Sequence, residues 1–189
     1  MKVLRTKRLI LRPFIAEDLD ELVELDSDPE VMRFINGGTP TPREEVEREI
    51  LPHFLEYADG ASGYGFWAAE EKSTGAFLGW FHLRPRAEGE PDEPELGYRL
   101  RRSAWGKGHA SEGSRALVDL AFTGLGASRV YAETMAVNVA SRRVMEKAGL
   151  RFVRLFHADW PVRIPGDEKG DVEYAITREE WARDRAAVS

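Results

Sequence analysis

The stretch Trp105-Gly106-Lys107-Gly108-His109-Ala110, running straight into a helix-forming segment over residues 111–123, decides how the rest of the chain is read. A short glycine-rich turn that opens a helix leaves backbone N–H groups pointing outward without intrahelical partners. The helix N-terminus adds partial positive charge to these donors, so phosphate oxygens are held there. Glycine at 106 and 108 lets the backbone approach an anion closely and permits positive φ where the turn demands it. The turn therefore implies a diphosphate-bearing ligand. It is not a Walker loop, because Lys107 lies between the glycines and no Gly-Lys-Ser/Thr closes it. It also fails the dinucleotide fingerprint, with Ser111 in the third glycine position and no acidic residue ending the next strand at the usual distance. Taken alone, the two glycines also suit a plain strand-to-helix connection.

Working outward, the segments around this turn alternate between the two periodicities. Residues 6–13 alternate as an opening strand closed by Pro13, and residues 17–25 place Leu19, Leu22 and Val23 at helical spacing. A charged helix is expected over 43–57, and strands over 65–70, 76–83 and 94–101. After the glycine turn, Leu117, Leu120 and Ala121 share one helical face. A strand over 130–137, a helix over 140–148 and strands over 151–157 and 172–177 follow. This pattern predicts an α/β (or α+β) fold with a mixed sheet, as a single domain over residues 1–189.

Composition narrows the chemistry. The 189 residues are 42% hydrophobic and 32% charged, as in an ordinary globular protein. No apolar run reaches the ~18–20 residues of a membrane helix, and the opening residues lack a signal peptide's apolar stretch, so a cytoplasmic address is expected. With no cysteine, disulfides, iron–sulfur clusters, thiolate zinc sites and an acyl-cysteine intermediate are excluded. His53, His82, His109 and His157 show no metal-ligand spacing, so no metal is expected. The net charge of −6 argues against a nucleic-acid partner and suits an amine-bearing substrate somewhat better.

A second segment gives the turn its meaning. Asn138 to Phe152 reads as a helix with Asn138 as N-cap and Gly149 in the left-handed stop position, Leu150 packing back. The pair of segments resembles the acetyl-CoA-binding halves of the GNAT superfamily of N-acetyltransferases, in the branch that contains the ribosomal-protein N-terminal acetyltransferases. The resemblance is carried by Glu95-Leu96-Gly97-Tyr98, the 105–110 turn with Glu112, then Asn138, Ser141 and Glu146-Lys147-Ala148-Gly149. The segments 6–14, 172–174 and 177–181 extend it over nearly the whole chain. One departure is Trp105, where the wider superfamily has Gln or Arg, which removes a polar contact.

The resemblance implies a single-domain GNAT-like fold: a mostly antiparallel mixed sheet flanked by helices, with splayed strands holding acetyl-CoA. It implies direct attack of a primary amine, from a protein N-terminus or a small molecule, on the acetyl-CoA thioester. The chain agrees by exclusion, having neither cysteine nor a Gly-x-Ser-x-Gly elbow. A protonated amine cannot attack, so a proton acceptor is useful. Glu95, at the start of the strand running into the turn, is the first candidate, and Glu133 on the neighbouring strand is the fallback. Residues 139–148 contain no tyrosine to protonate the leaving thiolate, so the resembling branch points to Ser141. Asn138 would bond the pantetheine arm, a backbone N–H near Arg99 or Leu100 would meet the oxyanion, and Lys147 would lie along the cofactor. Trp105, Gly106, Lys107, Gly108, His109 and Ala110 would hold the diphosphate, His109 through its backbone. Lys107 and the arginines at 99, 101 and 102 are candidates to supply charge to it.

The acceptor-side walls are expected from residues 32–42, 84–94 and 160–170, with His157 and Asp159 nearby. A homodimer is an allowed partner, and a non-catalytic CoA-binding module is the alternative function.

Overall fold

The computed structural model describes residues 1–60, 62–85, 92–160 and 162–187. Eight strands form one sheet: β1 (Leu4–Arg5), β2 (Leu9–Pro13), β3 (Gly65–Glu71), β4 (Phe77–Pro85), β5 (Pro94–Leu100), β6 (Arg129–Met135), β7 (Arg151–Phe156) and β8 (Asp171–Thr177). Their spatial order is β1-β2-β3-β4-β5-β6-β8-β7. Every neighbouring pair is antiparallel except β5 and β6, which run parallel and match in register only at Glu95↔Tyr131. By contrast β4 and β5 stay paired from Gly79↔Leu100 to Pro85↔Pro94. The sheet is therefore two ribbons, β1–β5 and β6–β8, that touch at one point and then splay.

Three helices precede β3. α1 (Leu19–Ser27) leads into α2 (Pro29–Asn36), which Asp28 caps by accepting the Glu30 N–H at 3.0 Å and which Gly37 ends at φ 82°. Arg43–Glu45, Val46–Ile50 and Leu51–Asp59 run on as one helix over residues 43–59, α3, whose middle is a π turn. α4 (His109–Gly124) follows the glycine turn, α5 (Val139–Lys147) follows β6, and α6 (Arg178–Ala186) closes the chain.

Strand alternation, interrupted once in β4 between Phe77 and Gly79, assigns the residues to two cores. Leu9, Leu11, Trp67, Phe81, Leu83, Leu96 and Leu100 pack with Leu117, Val118 and Ala121 of α4 and with Met145 of α5. Phe66, Ala68, Phe77 and Trp80 face the other way, onto Leu22, Leu25, Val46 and Phe54 of α1 and α3. Each such fully buried large apolar side chain contributes roughly 1.5–3 kcal/mol. The first core spans both ribbons. The second covers only the β2–β4 part, which leaves that face of the sheet open beside β5 and β6.

The expected elements are present, with shifted ends. The strand expected over 6–13 begins only at Leu9, as β2, because Thr6 turns the chain by bonding Leu9, and β1 lies before that turn. α4 begins at His109, two residues before the expected start, since Gly108 at φ 82° serves as its N-cap. The α6 helix, absent from the sequence reading, is opened by a capping box between Thr177 and Glu180.

Candidate active site

A cavity of about 800 Å³ passes through the sheet where β5 and β6 part. On the α4 side it is lined by Gly106, Gly108, Ala110, Ser111, Asn138 and Ser141, with Lys147 beyond. On the α1–α3 side it is lined by Phe34, Ile35, Trp80, His82 and Glu95, and by Trp160 and Val162 from the segment before β8. One strand, β5, serves both mouths. Leu96, Tyr98 and Leu100 point toward α4, while Glu95, Gly97 and Arg99 point toward α1–α3.

The glycine turn fits a diphosphate. Gly106 and Gly108 stand at φ 70° and 82°, the left-handed region that residues with a Cβ avoid. The first bond of the turn into α4 is Glu112 N–H to Gly108 C=O at 3.0 Å, so the amides just before it are left for a ligand. The turn is braced from behind. Arg8 donates from Nη1 to the Lys107 carbonyl at 2.7 Å, and its Nε bonds Glu112 at 2.7 Å. Glu112 also accepts from Thr6 Oγ1 at 2.6 Å and from the Arg8 amide at 2.7 Å. Against the cost of burial, these bonds from Thr6 and Arg8 pull the Glu112 carboxyl down to about 2. Trp105 uses its indole N–H on the Leu100 carbonyl at 2.7 Å, tying the turn to the end of β5. His109 is buried away from the cavity lining, and burial lowers its imidazole pKa.

The expectation that the arginines at 99, 101 and 102 supply charge to the phosphates is corrected. Arg99 is held by Asp26 at 2.6 Å and lies over the Trp80 ring. Arg101 is held by Glu21 and Glu24, and Arg102 by Asp28 at 2.6 Å. All three guanidiniums fasten the end of β5 to α1 and the start of α2. What Arg99 and Leu100 retain for a ligand is backbone. Lys107 is exposed, and no acidic partner is recorded for it among the described residues.

Asn138 is first of all a cap: its Oδ1 accepts the Ser141 N–H at 3.2 Å and its Nδ2 donates to Thr134 Oγ1 at 3.2 Å. One amide hydrogen remains on Nδ2. Ser141 Oγ lies 2.9 Å from the Tyr98 hydroxyl, which also donates to the Ser141 carbonyl at 3.0 Å. Burial raises the Tyr98 phenol above its usual range, so it stays protonated at neutral pH. Sequence reasoning sought a tyrosine on α5 and missed Tyr98, which reaches the same place from β5.

Glu95 is half-buried, and its Oε2 accepts from Arg84 Nε at 3.0 Å and Nη2 at 2.9 Å. Glu133 also lines the cavity from β6. His157 and Asp159 are exposed and outside the lining, although Trp160, next in the chain, bonds Asp171 through its indole N–H at 2.8 Å. Of the expected acceptor walls, residues 32–42 supply Phe34, Ile35 and Asn36, and residues 160–170 supply Trp160, Val162, Ile164 and Asp167. Residues 86–91 of the 84–94 connection, and Pro161, lie outside the described residues.

The chain is similar to known proteins in sequence and fold. Residues 8–151 match the family described as an acetyltransferase (GNAT) domain. Over 186 residues the chain is 38% identical to an FsC-acetyl coenzyme A-N(2)-transacetylase of Aspergillus fumigatus, covering 95% of this chain and 78% of that protein. Its fold is similar to that of an acetyltransferase (GNAT family) from Bacillus anthracis, with TM-score 0.76 and 24% identity over 94% of this chain and 99% of that one. It is also similar to aminoglycoside acetyltransferase AAC(6')-Ib in complex with coenzyme A, with TM-score 0.73 and 20% identity over 94% of this chain and 99% of that one.

Proposed function

This chain belongs to the GNAT acetyltransferases, and from that premise we propose that it moves an acetyl group from acetyl-CoA to a primary amine that enters from the α1–α3 side of the sheet. The observation that carries the proposal is the cavity through the β5–β6 splay, with free helix amides at one mouth and a carboxylate at the other.

Acetyl-CoA supplies the activated thioester. The amides around Gly108–Ser111 hold its diphosphate, and the spare Asn138 N–H and the Lys147 stem lie along its arm. A backbone N–H at Arg99 or Leu100 meets the charge that develops on the carbonyl oxygen. Glu95 accepts the proton that the amine must lose. The leaving sulfur takes its proton from the Tyr98–Ser141 hydroxyl pair, whose neutral phenol is a donor at neutral pH.

The acceptor is a small-molecule amine or a peptide N-terminus carrying an apolar neighbour. Ile35, Trp160 and Val162 stand about half exposed around the mouth. The buried Trp80 indole N–H has no partner among the described residues, which suits a substrate with a hydrogen-bond acceptor beside its amine. The name of the 38% identical relative places its acetyl group on an N(2) nitrogen, in line with transfer to nitrogen here.

A thiol-release assay on N-terminal peptides, amino acids, polyamines and aminoglycosides tests this. Turnover is expected with an amine that has an apolar flank, and least with polycations. Tight acetyl-CoA binding without turnover on any amine would make the chain a CoA-binding module instead.

A further inference from the structure

His82 is a buried polar side chain that the reaction as described leaves without work. It lies on β4 with 6% of its surface exposed, on the acceptor side of the cavity that it helps to line. Neither ring nitrogen has a hydrogen-bond partner among the described residues. Its ring stacks on Trp80 at 5.7 Å between centroids and meets the Phe66 ring edge-on at 5.3 Å, so its orientation is fixed by packing. A buried, unpartnered imidazole costs free energy, and a core position of this kind is normally given to an apolar ring.

The fold makes room for it. Gly97 is the register partner of His82 across β4 and β5. A Cβ on Gly97 would fall 2.5 Å from both Cε1 and Nε2 of the imidazole. The ring therefore lies flat against the β5 backbone, one residue from Tyr98 and two from Glu95. Its Nε2 is 3.9 Å from Glu95 Oε2, just beyond hydrogen-bond length. Burial, with Arg84 and Arg99 nearby, holds the imidazole well below its ordinary range, so it is neutral, with one nitrogen lone pair unshared and both nitrogens covered from solvent until a substrate enters.

We propose that His82 takes the amine proton and passes a proton on to Glu95, so that the base of this site is a two-residue relay. This rests on the acetyl-transfer reading above. The incoming ammonium gives one proton to the bare imidazole nitrogen, and the proton on the other nitrogen moves to the Glu95 carboxylate. The imidazole ends neutral, in the opposite tautomer; once the product has left, Glu95 returns its proton to Nε2 while the proton on the other nitrogen passes to solvent, which restores the starting tautomer. The neutral amine then forms the C–N bond while the C–S bond breaks. The second nitrogen proton leaves as the amide forms and replaces, through solvent, the one that the Tyr98–Ser141 pair gives to the sulfur. The balance is an ammonium and a thioester giving an amide, a thiol and one released proton. A neutral relay never has to hold a full charge in the buried site, which reconciles an imidazole that resists protonation with a role in proton transfer.

His82→Phe tests this, because phenyl keeps the stack between Trp80 and Phe66 and removes the two unpartnered nitrogens. Transfer kcat is expected to fall about 10²-fold. Acetyl-CoA affinity by calorimetry should stay within about twofold of wild type, and the melting temperature should hold or rise. His82→Ala should be equally slow and regain rate when imidazole is added to the assay, a rescue that a structural role does not give. It also serves if His82→Phe does not fold. Combining His82→Phe with Glu95→Gln should cost little more than either change alone, as for members of one relay. A His82→Phe enzyme that turns over at the wild-type rate beside a slowed Glu95→Gln overturns the relay and leaves the acetyl-transfer reading standing. A wild-type protein inert toward every amine overturns both.

Discussion

The two mouths of the cavity are built by different means. The α4 mouth is made from contiguous backbone: one turn, two positive-φ glycines and the start of one helix. The α1–α3 mouth is made from side chains that reach in from α2, β4, β5 and the segment before β8. A backbone site recognises charge and shape that any related ligand presents, such as a diphosphate. A side-chain site can be rebuilt one residue at a time. The comparison teaches why a chain like this holds one cosubstrate in common with its relatives while its acceptor has to be found by experiment.

Five substitutions would break or sharpen that contrast, and the largest effect belongs to the acceptor mouth. Glu95→Gln keeps size and hydrogen bonding but removes proton acceptance, so kcat/KM at neutral pH should fall by roughly 10²-fold or more. The deficit should narrow as pH rises toward the pKa of the amine, where the nucleophile is neutral unaided. A uniform loss across that range would assign Glu95 to substrate positioning.

Next is the brace behind the α4 mouth. The Glu112 carboxyl sits at about 2 in the fold against an ordinary 4.5. A group whose folded pKa is depressed adds stability above its unfolded value, and loses it as pH falls through the window to the folded one. Glu112→Gln should therefore cost on the order of 2–3 kcal/mol at pH 7, with the gap to wild type closing between about pH 4.5 and pH 2. Chemical denaturation at several pH values reads this directly. A gap independent of pH would mean that packing, and not charge, sets the contribution of Glu112.

Gly108→Val places a β-branched residue at φ 82°, a strain of roughly 1–3 kcal/mol, with its Cβ 3.4 Å from Arg8 Nη2, so both the turn and its brace are disturbed. Acetyl-CoA affinity should drop about tenfold or more while the protein stays folded. Unchanged affinity in calorimetry would remove the turn from the ligand site. The smallest effect is expected for Ser141→Ala and Tyr98→Phe. Each leaves one hydroxyl of the pair in place, so each should lower kcat by only a few-fold, with the double change well beyond the product of the two. Additive losses would show that the hydroxyls act separately.

What the sequence disclosed follows the same division. The glycine turn, the Asn138 cap and the strand alternation of β5 were legible because each is written in neighbouring residues. The arginines at 99, 101 and 102 were misread because their partners, Asp26, Glu21, Glu24 and Asp28, lie more than seventy residues away on helices whose placement a local pattern does not give. Tyr98 belongs to a local motif that does not mark it as a proton donor, since its contact with Ser141 forms only when α5 settles beside β5. His82 gave no signal at all. The sign of its role is the missing side chain at Gly97, and that pairing becomes visible only with the β4–β5 register. The α6 helix was readable in principle, from Thr177 and Glu180 at capping-box spacing.

The single match at Glu95↔Tyr131 also bears on how the protein loses its structure. Main-chain bonding is continuous within each ribbon but nearly interrupted between them, and α4 is the principal tie across the seam through the shared core. Two cooperative units meeting at such a seam open separately when little bridges them. A ligand seated across both would join them. Without acetyl-CoA, amide hydrogen exchange should then be fastest along the facing edges of β5 and β6, and thermal unfolding broad. With acetyl-CoA bound, those amides should slow together and the melt should sharpen into one transition, so that the cosubstrate completes the sheet mechanically as well as supplying the acetyl group.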